Sequence, residues 1–163
     1  MLRKRLGYLI IAAAVILSHQ MAQWLVFPAV AEHGGPIAVL SFFNLVEVWN
    51  PGISFGMFND LTHGQWLLSA LALAITFILL RWLWRTHDKF TSIALALVIG
   101  GAVGNTVDRL RYGAVADYLD FHAFGYHWPA FNITDTAICI GVIMLMLPLR
   151  KTKAAGSISV ASR

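Results

Sequence analysis

Residues 90–107 read FTSIALALVIGGAVGNTV, a run without a single charge, and the two residues that follow are Asp108 and Arg109. A helix rises about 1.5 Å per residue and bilayer hydrocarbon is ~30 Å thick, so a span takes roughly 17–25 apolar residues. The run fits that length, and the acid and base sit where it would reach a membrane face. Three other segments read the same way. Leu6 to Phe27 carries no charge. Gln65 to Leu80 is uncharged and continues through Arg81 to Trp84, where the arginine can snorkel. Ile133 to Leu149 holds one acid, Asp135, near its start. The sequence therefore predicts a mainly α membrane protein with spans at 6–27, 65–84, 90–107 and 133–149.

Composition agrees. Of 163 residues, 58% are hydrophobic and 12% charged, about half the charge of an ordinary soluble domain. So few charges cannot cover a water-facing surface, and so apolar a chain cannot be disordered. The single cysteine, Cys139, rules out a disulfide scaffold. One membrane domain at 1–153 is expected, with a disordered Ser- and Ala-rich tail at 154–163. Arg3-Lys4-Arg5 before an apolar stretch also resembles a cleavable signal peptide. Apolar character resumes after Ser18 to Gln20 and runs through Trp24 to Phe27, which favours a retained helix.

Lysine and arginine placement sets orientation. Arg3, Lys4, Arg5, Arg81, Arg85, Lys89, Arg150, Lys151, Lys153 and Arg163 fall on one side of a four-span chain, and only Arg109 and Arg111 fall on the other. Both termini are expected in the cytoplasm. The basic residues form no stripe, so the net charge of +4 does not point to nucleic acid.

The outer loops, 28–64 and 108–131, are too long to be bare connectors. Leu40 to Trp49 favours a short strand or two, and Asn50-Pro51-Gly52 is a turn signal. Ile53 to Phe58 is an apolar patch suited to the lipid interface. Tyr118, Phe121, Tyr126 and Trp128 read as interfacial anchors.

Among eight acids, Asp88, Glu32, Glu47 and Asp60 are ordinary loop charges, whereas Asp108, Asp117, Asp120 and Asp135 converge by connectivity at one depth. A carboxylate inside the slab costs at least ~2.5 kcal/mol on insertion scales. One solution is a protonated carboxyl, held so by burial or by a neighbouring carboxylate; two such groups share one proton, as in aspartic proteases. The structural alternative is equally open: Asp135 capping its helix and Asp108 paired with Arg109 or Arg111. A zinc site built from Asp117, His122 and His127 lacks a helical ligand spacing. Cys139 has no adjacent base and reads as packing. Gly100 and Gly104 read as a close-packing site between spans of one chain, not as a dimer contact.

Four segments together resemble lipoprotein signal peptidase, also called signal peptidase II. Asn50-Pro51-Gly52-Ile53-Ser54-Phe55 is similar to its N-x-G-x-[AS]-F element. Gly100 to Arg109 matches G-G-x-x-G-N-x-x-D-R, Gly113 to Tyr118 matches G-x-V-x-D-[FY], and Phe131-Asn132-Ile133-Thr134-Asp135 is similar to F-N-x-A-D. The motifs are in order and span nearly the whole chain. The resemblance implies an intramembrane aspartyl endopeptidase of the bacterial inner membrane, with catalytic acids Asp117 and Asp135 near the periplasmic face. Asn50, Gly52, Asn105, Asp108, Arg109 and Asn132 would bind substrate or support the site. The implied substrate is a prolipoprotein whose cysteine carries diacylglyceryl, cut on the N-terminal side of that cysteine. Globomycin-type inhibitors, contact with membrane phospholipid, a monomer, a periplasmic β-cradle and a short periplasmic helix are implied too; no metal or cofactor is.

The chain departs from the family pattern where D-Q-x-x-K is usual and His19-Gln20-Met21-Ala22-Gln23 stands instead. His19 and Gln23 share one helix face and could hydrogen-bond each other. Thr134 replaces the usual alanine, and its hydroxyl could reach Asp135 or the helix backbone. Two other functions remain open: a catalytically impaired relative that binds lipidated precursors, and a small proton-coupled transporter relaying through Asp108 and Asp135.

Overall fold

A computed structural model describes residues 2–52 and 64–147, with side chains from residue 5. Along the described chain run α1 (Leu2–His33), β1 (Ile37–Leu40), β2 (Phe43–Asn50), α2 (Gly64–Arg85), α3 (Lys89–Tyr112), β3 (Val115–Ala123), β4 (Tyr126–His127) and α4 (Ile133–Met146). Three helices are long and apolar enough to cross a membrane, and α4 is a shorter apolar helix. The stretch expected to complete the fourth span runs past Leu147 and lies outside the described residues. So do the Ile53–Phe58 patch, Asp60 and the 154–163 tail; the short periplasmic helix that the resemblance implies is not among the described elements.

Helices α1, α2 and α3 are each longer than their charge-free runs. The Asp88 carboxylate caps α3 by accepting the Thr91 N–H at 2.6 Å, which satisfies one of the helix's unpaired donors. At the other end Gly113, at φ 80°, returns its N–H to the Arg109 carbonyl. Asp108, Arg109 and Arg111 thus lie on the last turns of a helix rather than in a loop. Helix α1 carries Pro28 within it; proline lacks the N–H that would bond back four residues, a local loss the helix absorbs.

Helix α3 is the centre of the bundle and packs on α1, α2 and α4. Lipid is as apolar as leucine, so tight packing and polar contacts, rather than apolar burial, hold such helices together. Small residues supply the packing. A Cβ at Gly100 would stand 2.8 Å from the Ala12 carbonyl of α1, and one at Gly101 2.5 Å from the Thr134 carbonyl of α4. The glycines therefore join α3 to helices of its own chain, as their spacing suggested.

The strands form one antiparallel sheet in the order β1-β2-β3-β4. Strand β2 pairs with β3 so that Val48 faces Asp117 and Asn50 faces Val115. Residues two apart on a strand share a face, so Asn50 and Asp117 project to the same side. Trp49 fastens the sheet to the bundle, its ring edge-on to Phe27 at 5.1 Å and tilted against Tyr112 at 5.2 Å. The strand expected within Leu40–Trp49 is present as β2.

Tyr118 corrects its sequence reading. It is no interfacial anchor: it is 1% exposed and packs with Phe27 and Ala116. Its position on β3 alternates it away from Phe121, which is exposed together with Tyr126 and Trp128.

Candidate active site

Asn132 starts α4 and organises the site. Its extended backbone makes it the N-cap, and its side-chain oxygen accepts the Asp135 N–H at 3.0 Å. Asp135 answers by accepting the Asn132 N–H at 3.2 Å, completing a capping box. That fixes the amide: its oxygen faces the helix, so its nitrogen must point away. The nitrogen donates to Asp117 Oδ1 at 2.7 Å. One asparagine therefore touches both acids, one from β3 and one from α4. The capping role foreseen as the alternative for Asp135 coexists with its approach to Asp117.

Each acid has a second amide donor. Asn50 donates to Asp117 Oδ2 at 3.1 Å, and Asn105 of α3 donates to Asp135 Oδ1 at 2.8 Å. The Thr134 hydroxyl is directed at the side-chain oxygens of Asn105 and Asn132. It bonds neither the Asp135 carboxylate nor the helix backbone, the two partners its position suggested. Asp117 is 2% exposed. Burial, and then the nearby charge of Asp135, push its carboxyl up to about 7, although the Asn50 and Asn132 amides pull the other way.

Asp108 and Arg109 do not pair. Arg109 donates to the Gly52 carbonyl at 2.9 Å, and the Gly52 N–H donates to the Asn50 side-chain oxygen at 3.1 Å. The end of β2 is thereby tied to α3. Asp108 is fully buried and accepts three bonds: His19 at 2.8 Å, Gln20 at 2.6 Å and the Ala116 N–H at 3.1 Å. His19 spends both ring nitrogens on Asp108 and Tyr118, so the bond to Gln23 that their helical spacing allowed does not form. Sequence reading missed Gln20 and Tyr118 as parts of this cluster. The signal for Gln20 was there, beside His19 in the motif, whereas that for Tyr118 was hidden by its likeness to interface aromatics.

A cleft of about 510 Å³ borders Asp135, between α4 and the chain entering it; its walls include Pro129, Phe131, Ile138, Cys139 and Ile140. Apart from Asp135 and Thr136 its lining is mostly apolar, which suits a lipid-embedded polypeptide. A larger groove of about 840 Å³ runs along α1 past Trp24 and Phe27 and holds neither acid. His127 donates to Asp120 at 2.8 Å and stacks on His122 at 4.9 Å, so His127 turns to Asp120 and not to Asp117. Asp120, on β3, lies below the usual carboxylate range: its partial burial raises it, but bonds from His127 and Asn44 outweigh that. Among the described residues no group of three or more His, Cys, Asp or Glu could hold a metal ion.

The family model described as signal peptidase (SPase) II matches residues 11–150. The chain belongs to the signal peptidase II family. Among its relatives, the lipoprotein signal peptidase of Polynucleobacter necessarius is 40% identical over 143 residues, 86% of this chain and 87% of that protein. That of Vibrio cholerae is 48% identical over 125 residues, 74% of this chain and 73% of its own. A solved bacterial membrane enzyme superimposes with a TM-score of 0.76 at 26% identity, covering 96% of this chain and 94% of that one. The family resemblance carried by the four motifs is thus borne out, and the chain is a multi-pass membrane protein built on a membrane-enzyme fold.

Proposed function

We propose that this signal peptidase II is an aspartyl endopeptidase acting on lipid-modified prolipoproteins, with Asp117 and Asp135 as its catalytic pair. The observation that carries the reading is the single Asn132 side chain and backbone shared between the two acids. Buried carboxyls held that near each other cannot both ionise freely, so they share one proton. The ionised member takes a proton from water, the resulting hydroxide attacks the scissile carbonyl, and the protonated member gives its proton to the carbonyl oxygen. Collapse of the diol releases the amine, which recovers a proton from the pair.

The remaining residues hold the geometry. Asn50 and Asn105 each fix one acid, and Arg109 holds the Gly52 turn over the site. The precursor's signal helix enters from the lipid along the cleft beside α4, its diacylglyceryl chains staying in the bilayer. Globomycin-type peptides bind in the same cleft. The acids work near the periplasmic face of the inner membrane, in a monomer with both termini in the cytoplasm, as the asymmetry of lysine and arginine supports. The sequence puts Asp117 in the outer loop 108–131. Its place on β3, bonded through Asn132 to the start of α4, supports a pair already assembled before substrate arrives.

The test is mass spectrometry of a diacylglyceryl precursor incubated with the purified chain, with and without a strong metal chelator. The expected product begins at the lipidated cysteine and forms equally in both. Loss of product with chelator would contradict the aspartyl reading.

A further inference from the structure

His19 is a fully buried titratable side chain that the proposed chemistry leaves unused, and it occupies the position where the chain departs from its family's motif. Its surroundings form one directed chain of hydrogen bonds. The Ile133 N–H donates to the Tyr118 hydroxyl oxygen at 3.3 Å. That leaves the Tyr118 proton free to donate to His19 Nδ1, 3.2 Å away. With Nδ1 accepting, the proton of a neutral imidazole sits on Nε2 and is donated to Asp108 at 2.8 Å. Asp108 in turn accepts the Ala116 N–H at 3.1 Å. Every donor meets an acceptor only with His19 in this tautomer. The stacking of its ring on Tyr118, 5.7 Å between centroids, fixes the plane.

The two ends of that chain matter. Ala116 and Tyr118 flank Asp117 on β3, and Ile133 follows Asn132 at the head of α4. From these observations we infer that His19 is a positioning residue: α1 uses it to lock the strand carrying Asp117 to the helix start carrying Asp135. The inference rests on the dyad reading above. It makes the link His19–Tyr118 a determinant of the rate of bond cleavage and not of substrate binding, since neither residue lines the cleft beside Asp135.

The experiment measures kcat and KM of the purified full chain on a diacylglyceryl precursor for wild type, Tyr118→Phe, His19→Gln and the double variant. Phenylalanine removes one oxygen and keeps the packing; glutamine keeps an amide N–H donor for Asp108 but carries its oxygen at the tip of the side chain, with no acceptor at the Nδ1 position that Tyr118 meets. Both break the same link. Each single variant should lower kcat by roughly 10- to 100-fold, the scale of a sub-ångström to ångström misplacement, with KM little changed. The double should fall no more than about twofold below the worse single, because coupled neighbours are not additive. Wild-type kcat per folded enzyme in Tyr118→Phe, or losses that multiply in the double, would overturn the inference. Asp117→Asn is run alongside. If it cleaves normally the dyad reading itself fails; if it is inactive while Tyr118→Phe has wild-type kcat, only the positioning role fails.

Discussion

Asn132 donates its side-chain amide to Asp117 at 2.7 Å while its backbone N–H donates to Asp135 at 3.2 Å. A helix cap and a strand carboxylate are held by one residue, which makes the separation of the two acids a property of the fold rather than of any loop motion.

Asn132→Ser separates the two duties. Serine is as good an N-cap as asparagine, so α4 keeps its start, and the loss of thermal stability in detergent, about 1–3 kcal/mol, comes from the bonds lost at buried Asp117 and Thr134. Serine cannot reach Asp117, and kcat should fall by roughly 100-fold. A folded variant with wild-type kcat would show that the amide does not position Asp117.

The raised carboxyl of Asp117 predicts an alkaline limb in the activity profile. The shared proton is lost as pH rises through about 7, so kcat/KM should decline above that point. The Asn50 amide stabilises the ionised form, and removing it makes the proton harder to lose. In Asn50→Ala the limb should therefore move to higher pH, measured by initial rates between pH 5 and 9. Movement to lower pH would contradict the assigned hydrogen bond.

Stability should carry the same signature. Asp117 holds its proton more tightly in the folded chain, at about 7, than at its ordinary 3.8. The folded state then binds more protons than the unfolded one between those values, so stability falls as pH rises through that window and levels off above it. Thermal midpoints in detergent should show this decline, and Asp117→Asn should flatten it. An unchanged slope in the variant would assign the effect to other groups.

Gly104 is a packing prediction. A Cβ there would collide with the Thr134 methyl, on a residue whose hydroxyl is directed at Asn105 and Asn132. Gly104→Ala should force α4 outward, destabilise by about 1–3 kcal/mol, and reduce kcat more than Gly7→Ala, whose added methyl meets nothing within 4 Å.

Much of the fold was legible because membrane spans announce themselves by length and missing charge, and the glycines of α3 by spacing. What charge patterns could not give was helix ends. α3 runs beyond Val107 because Asp108 is satisfied by His19, Gln20 and Ala116, partners distant in sequence that no local pattern reveals. Motif register brought Asn50, Asn105, Asn132, Asp117 and Asp135 onto one list; only coordinates showed how they bond. Tyr118 was misread because an aromatic beside a membrane face suits burial and interface alike, and strand alternation on β3 decides between them. Thr134 was ambiguous because its hydroxyl turned to two asparagine oxygens, one of them on α3, that no local pattern reveals.

The most direct measurement is the single-turnover cleavage rate of a diacylglyceryl precursor by Asp117→Asn and by Asp135→Asn, each shown by circular dichroism to be folded. Both rates should fall by at least roughly 10²–10⁴-fold, what a positioned acid or base contributes. A folded variant of either acid that cleaves at the wild-type rate would contradict the proposed pair.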